Sequence, residues 1–456
     1  MHPWKQELRS LTSLAAPITA SYLGMMAMNI IDVWMVGNFV GGEAFAAVGL
    51  GNSYGFMITH LGLGLLMVLD PVVAQAVGAR DEAGVRRGLQ RGLVLAILIS
   101  IPIGVLWMLI EPALQLFQQP AALIPTARDY VQAMVPSLLP FYCFFALRLS
   151  LQAMHHVRAI LLSIVVANCA NVVLDWILIR GAFGLPAYGA VGCGWATTVC
   201  RWIMLLSVLG FGWSELGPHL RCSWRKALRV GPLLRMLRLG TPLGLQYFIE
   251  AAAFASIAYQ MGWIGTGEAE LGGHYLTLQY ASFAFMLPVG IANATAIRVG
   301  NGIGARDHAA VRRSALVSLT AGALVMLVSG ILFLTLPGPL ARWFSTDPDI
   351  VRIAIALLPI AGVFQIFDGI QVVAGGVLRG IGDVRSPMLI HAAGFWLFGL
   401  PLGWLFTFRL DLGPQGLWWG LVIGLGSVAI IFLVRITLRL RTEIDPVQID
   451  RGQDNS

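Results

Sequence analysis

Charge is scarce in this 456-residue chain: Asp, Glu, Lys and Arg together make up 12% of it, about half of the roughly 25% usual in soluble domains. That leaves too little polar cover for a soluble protein of this length, so a soluble enzyme is excluded. Lysine is nearly missing, with Lys5 and Lys226 alone among thirty basic residues. The net charge of +7 therefore does not gather into a basic patch interleaved with aromatics, and no nucleic-acid partner is expected. The five cysteines (Cys143, Cys169, Cys193, Cys200 and Cys222) form no CxxC pair and lie mostly in apolar segments. That argues against a disulfide framework or a zinc site and for small buried hydrophobes. The histidines are scattered without metal-ligand spacing, His155 and His156 sharing one short loop. No Walker A sequence, nucleophile elbow or HExxH occurs, so neither ATP hydrolysis nor any catalytic constellation is expected, and no cofactor. GNGIGAR at 300–306 lacks the spacing of a nucleotide loop and reads as a helix-end turn.

What the chain has in abundance is apolar length. Hydrophobic residues make up 57%, and 52 Gly and 22 Pro accompany them; the mean hydropathy is +0.77. Apolar segments run at about 11–36, 45–76, 88–110, 127–149, 159–180, 188–212, 239–264, 272–299, 311–336, 349–377, 387–408 and 415–438. In hydrocarbon a lone strand leaves its backbone unsatisfied whereas a helix bonds internally, so each is expected to be a membrane helix and the protein to be all-α. The first run is about twice as long as a signal peptide's apolar core and is expected to be a retained span.

Taken alternately, the loops on one side collect Lys5, Arg9, Arg80, Arg86, Arg87, Arg91, Arg158, the cluster from Arg221 to Arg238, Arg306, Arg312, Arg313, Arg379, Arg385, Arg435, Arg439 and Arg441. The other side holds Arg128, Arg180, Arg342, Arg352 and Arg409. Basic loops stay in the cytoplasm, which predicts an even number of spans with both termini cytoplasmic. An internal repeat supports that count. GARDEAGVRR at 78–87 recurs as GARDHAAVRR at 304–313, identical at eight of ten positions. Pro17 pairs with Pro242, and Val157-Arg158 with Val384-Arg385, at nearly the same offset. Two homologous six-helix halves of like orientation are expected: an N-terminal lobe at 1–212, a basic amphipathic cytoplasmic linker at 213–238, a C-terminal lobe at 239–440 and a polar tail at 441–456. Two lobes that rock about a central site are a common way to build alternating access, so transport is the expected activity.

Acids inside the spans point to its chemistry, because a buried Asp costs about 2.5–3.5 kcal/mol at a helix centre. Asp32 lies in the first span, Asp175 in the fifth, Glu250 in the seventh and Asp368 in the tenth. Asn171 and Asp175 are four apart, so one helix face can offer two oxygens to one ion. Asp70, before Pro71, reads as a cap or bend. Arg201 reads as the one basic residue well inside a span, either snorkelling or paired with an acid. Fourteen Trp and sixteen Met could line a cavity for aromatic cations, though most Trp are expected at the interfaces.

Together the stretches IDVWMVG, PVVAQAVGAR, LRLGTPLGLQYFIEAAAFA, FMLPVGIANATAIRVGNGIGAR and FQIFDGIQVVAGGVLRGIGD resemble multidrug and toxic compound extrusion (MATE) transporters of the bacterial NorM-like branch, over essentially the whole chain. The resemblance implies twelve helices in two six-helix lobes of an inner-membrane exporter. That exporter would act as a sodium or proton antiporter and expel hydrophobic or cationic organic compounds. Glu250 and Asp368 match the cation site of the C-terminal lobe. Asp32, Asn171, Asp175 and Thr197 match that of the N-terminal lobe, and Asp32, Glu250 and Asp368 would also meet substrate. Three positions depart from the pattern: His274-Tyr275, Asp70, and Phe364 where some relatives have a tyrosine. The balance tilts to sodium, with Glu250 and Asp368 as its charged ligands. The partners expected are the coupling cation, the small-molecule substrate and the lipid bilayer, around a monomer. A lipid-linked precursor flippase is the alternative, although such a flippase would need a cationic cavity for phosphates. A channel ranks third, since a pore gains nothing from rocking lobes, and a membrane enzyme ranks last.

Overall fold

A computed structural model describes residues 3–264 and 268–450. No β-strand occurs among the described residues. Twelve long helices dominate: α1 (Trp4–Phe39), α2 (Gly42–Gly78), α3 (Glu82–Met108), α4 (Ile124–Ala153), α5 (Arg158–Arg180), α6 (Gly189–Phe211), α7 (Val230–Met261), α8 (Ala269–Gly304), α9 (His308–Thr335), α10 (Pro348–Ile381), α11 (Arg385–Phe408) and α12 (Pro414–Arg439). Eleven of them are long and apolar enough to cross a membrane. The twelfth, α7, carries Arg235 and Arg238 ahead of its apolar stretch and Glu250 within it. Short helices at Ile110–Leu116, Trp213–Leu220 and Pro337–Phe344 lie between them. Three of the long helices change pitch: α2 turns at residues 67–68, α4 tightens to a 3-10 turn at Val135–Ser137, and α11 widens to a π-helix at Ala393–Gly399. Lipid-facing stripes follow helical spacing, as on α3, where Ile97, Ile101, Val105 and Met108 are exposed. An apolar face turned outward is unfavourable in water and suits hydrocarbon.

The described chain forms two compact units. Among the described residues, one comprises 20–77, 81–244 and 448–450, and the other comprises 3–19, 78–80, 245–264 and 268–447. They are called here the N-terminal and C-terminal units.

The repeated decapeptide has a local physical meaning in both copies. Arg80 and Arg306 adopt the left-handed conformation, with φ of 56° and 55°. The next amide bonds back over the turn, Asp81 N–H to Ala76 O and Asp307 N–H to Gly302 O, each at 2.9 Å. This is a Schellman-type stop, in which a residue with positive φ lets the chain satisfy the last carbonyls of a helix. Asp81 and Asp307 then start the next helix, accepting from the amides of Gly84 and Ala310 at 2.9 Å. One short sequence thus ends one span and begins another, twice.

Within the N-terminal unit the basic start of α3 is anchored by the tail: Asp450 pairs with Arg87 at 2.8 Å and with Arg91 at 2.6 Å. Arg91 also donates to Lys226 O, and Gln90 to His219 O. Partial burial raises the Asp450 carboxyl, but the hydrogen bond and charge of Arg91 and the charge of Arg87 outweigh it and hold the group below its ordinary range. Within the C-terminal unit the equivalent work falls to Glu7, which accepts both arms of the Arg298 guanidinium at 2.6 and 2.8 Å and the Ser314 hydroxyl at 2.6 Å. Asp383 pairs with Arg435 at 2.9 Å.

Candidate functional site

The intramembrane acids fall into two groups, one in each unit. In the N-terminal unit, α5 and α6 form a tight pair. A side chain at Gly192 would collide with the Leu178 carbonyl, so only glycine permits this approach. The pairing brings Asn171 and Asp175 of α5 to Cys193 and Thr197 of α6, with Asp32 of α1 against them. Asn171 Nδ2 donates to Asp32 Oδ1 at 2.7 Å, and the Thr197 hydroxyl donates to Asp32 Oδ2 at 2.8 Å. Both Asp32 oxygens therefore have a neutral donor. Asp175 is fully buried, its carboxyl lying against Asp32, Cys193 and Asn171, and Asn171 Oδ1 accepts no hydrogen bond. Two carboxyls buried side by side do not both ionise without a compensating cation or a shared proton.

Arg201 lies near enough for its charge to reach Asp32 but does not pair with it directly. Its Nη1 donates to Ser137 Oγ at 2.8 Å and its guanidinium lies over the Phe141 ring, 4.4 Å from the centroid. Arg148 of α4 lies deeper than the half-buried Arg201: it is fully buried, stacked on Tyr22 at 4.0 Å with Nη1 3.7 Å from Met25 Sδ. The sequence reading stopped that span at 149, which hid Arg148 at its edge, whereas α4 continues to Ala153.

In the C-terminal unit, α7 carries Glu250, α10 carries Asp368 and α11 carries His391. His391 Nδ1 lies 3.7 Å from Glu250 Oε2. Gln246, one turn before Glu250, places its amide nitrogen 3.4 Å from His391 Nε2. That arrangement fits the tautomer with the proton on Nδ1, facing the carboxylate. Gln371 donates to Asp368 Oδ1 at 3.3 Å. Asp368, Gln371 and His391 are all buried, and Asp368 starts the turn that ends at Gln371. Phe364, one turn earlier, packs edge-on against Phe254 and Trp418, so it contributes ring surface and no oxygen. His274 is buried against the same Trp418. Asp70 is buried in the first turn of the Leu69–Gly78 segment of α2, directly after the turn at 67–68.

Thus all six expected cation-site residues are placed, Asp32, Asn171, Asp175 and Thr197 in one group, Glu250 and Asp368 in the other. Cys193, Gln371 and His391 were missed. Cys193 Sγ, Asp32 and Asp175 can offer ligand atoms within 4.8 Å of one another, although the cysteines had been read as inert hydrophobes. Its signal was the four-residue step to Thr197, just as Gln371 stands three from Asp368. Nothing in the sequence links His391 to Glu250. Of the other cysteines, Cys143 and Cys200 are buried, but Cys169 is exposed and Cys222 partly so.

The chain is 33% identical to the probable multidrug resistance protein NorM of Mesorhizobium japonicum, over 95% of this chain and 94% of that protein. It is 33% identical to the multidrug resistance protein PmpM of Pseudomonas aeruginosa, over 96% of this chain and 92% of that one. Among solved structures its fold matches the eukaryotic MATE transporter AtDTX14, with a TM-score of 0.86 at 23% identity over 95% of this chain and 96% of that one. It also matches the Vibrio cholerae MATE transporter VcmN in the bent form, with a TM-score of 0.84 at 19% identity over 97% and 99%. The MatE family model covers residues 17–177 and 242–405, one copy in each half of the repeat. With both halves matched and the relatives alike from end to end, this chain belongs to the MatE family, as a multi-pass membrane transporter and not an enzyme.

Proposed function

We propose that the chain is an inner-membrane antiporter that exports hydrophobic or cationic organic compounds by alternating access, driven by a monovalent cation held at the buried carboxyls. The observation that carries this reading is the N-terminal group: Asp32 held by two neutral donors, with the buried carboxyl of Asp175 and the open carbonyl oxygen of Asn171 beside it. Counting the Thr197 hydroxyl, this cage has oxygens enough for sodium, a hard ion that binds through several oxygens at once. The C-terminal group lacks a hydroxyl and has an imidazole facing Glu250, with the ring of Phe364 one turn before Asp368. This arrangement supports placing sodium at Asp32, Asn171, Asp175 and Thr197, and giving Glu250 and Asp368 the cationic substrate or a proton, instead of making them the principal sodium ligands. Being acidic, the two groups favour a cationic cargo over the phosphates that a lipid-linked precursor flippase would carry.

The topology proposed keeps both termini, the 213–238 linker and the tail in the cytoplasm, with a six-helix lobe on either side of that linker; the basic loops support it. The deciding experiment uses proteoliposomes loaded with a fluorescent organic cation. A sodium gradient imposed at constant pH should drive transport, and Asp32→Asn or Asp175→Asn should remove the response to sodium. Full transport on a pH gradient alone, with sodium rigorously excluded, would make the same carboxyls proton carriers.

A further inference from the structure

We propose that Asp32, Asp175 and Cys193 also form a binding site for a thiophilic divalent cation of the zinc or cadmium class, completed by an oxygen of Asn171 or Thr197. The three side chains present one ligand atom each, all within 4.8 Å of one another. Small side-chain rotations bring such a spread to the roughly 2.0–2.3 Å metal–ligand distances of a tetrahedral site. All three residues are buried, so water competes weakly for the ion. Asn171 Oδ1 accepts no hydrogen bond, so an oxygen stands ready for the fourth position of a tetrahedral site.

The sulfur makes the site selective. Sodium gains little from a thiol, whereas zinc and cadmium bind thiolate far more strongly than they bind hydroxyl or water. On binding, the metal displaces the thiol proton, and any proton held by the two carboxyls, into solvent. Cys193 and Thr197 stand four apart on α6, so the sulfur and the hydroxyl that steadies Asp32 lie on one face. A metal held there occupies the cage assigned above to sodium and excludes it. That competition rests on the sodium reading, whereas the metal binding does not.

The test titrates the purified full-length chain in detergent with cadmium chloride and reads the ultraviolet thiolate-to-cadmium charge-transfer band. Wild type should show the band, and so should a variant with Cys143, Cys169, Cys200 and Cys222 replaced by Ala. Cys193→Ser should lose it, and Asp175→Asn should weaken cadmium affinity at least tenfold. Added sodium chloride should raise the apparent dissociation constant of wild type. If the four-cysteine variant does not fold, calorimetric titration of Cys193→Ser against wild type decides alone. Equal cadmium affinity in those two proteins overturns the proposal, as does the absence of a band in wild type. Sodium-driven efflux in Asp32→Asn vesicles is scored separately. Loss of coupling there with unaltered cadmium binding in Cys193→Ser sinks only the metal site; cadmium binding through Cys193 without any sodium dependence of transport sinks only the coupling.

Discussion

The two acidic groups have the same number of carboxyls and opposite surroundings. In the N-terminal unit Asp32 is gripped by an amide and a hydroxyl at 2.7 and 2.8 Å, and its companion Asp175 lies beside a thiol. In the C-terminal unit Glu250 faces an imidazole at 3.7 Å, Asp368 holds a single amide at 3.3 Å, and aromatic rings pack at Phe364. Fixed short hydrogen bonds orient ligand atoms in advance and suit a desolvated ion that must be recognised by number and distance of oxygens. A longer carboxylate–imidazole contact with ring walls suits a proton or an organic cation, which needs charge and apolar contact more than a ligand count. On the reading proposed above, a duplicated chain carries two acidic groups with different surroundings for two different cations.

The largest effect expected is on coupling. Asp32→Asn and Asp175→Asn should reduce sodium-driven efflux to the background of empty vesicles at near-normal protein levels, because an amide keeps the shape and loses the charge. Glu250→Gln and Asp368→Asn should impair export too, but should leave sodium binding, measured by calorimetry on the purified protein, close to wild type. If sodium affinity falls equally in both pairs, the division of labour is wrong.

His391→Ala comes next. If the imidazole positions Glu250, the variant should lose about tenfold in efflux rate, as partners of a binding group commonly do. His391→Asn, which restores a donor, should recover part of the rate, whereas a packing role would be rescued better by leucine.

The two copies of the repeated decapeptide give a smaller, symmetric effect. Asp81→Ala and Asp307→Ala should each cost about 1 kcal/mol through loss of an N-cap, and thermal unfolding in detergent should show similar shifts for both. A large shift in one copy alone would mean that the two turns do different work.

The smallest effect concerns pH. The Asp450 carboxyl is held below its ordinary value by Arg91 and Arg87, so docking of the tail is fully supported above the unfolded-state value of about 3.9. Support is lost as pH falls through the lower folded-state value. Fluorescence from a probe at Gln448 should report release of the tail only in that acid range, and Asp450→Asn should release it at every pH.

Composition and spacing were enough to determine the all-helical membrane fold, because backbone hydrogen bonding in hydrocarbon leaves an apolar run of some 20 residues one solution. Asp32, Asp175, Glu250 and Asp368 stood out for the same reason, since a carboxyl in a span is costly wherever the helix packs. The decapeptide repeat disclosed the duplication because it encodes a local structure, a helix stop followed by a cap, that depends on few neighbours. Local spacing could also have drawn in Cys193 and Gln371, each within one helical turn of a residue already singled out. What only the tertiary structure decided are the pairings between helices: Thr197 with Asp32 across 165 residues, His391 with Glu250 on another pair of helices, and Arg201 with Ser137 in place of an acid. Helix periodicity tells which residues share a face but not which face of another helix they meet. That choice is made by close packing, such as the Gly192 contact that seats α6 on α5, and it turned two sets of similar acids into two different sites.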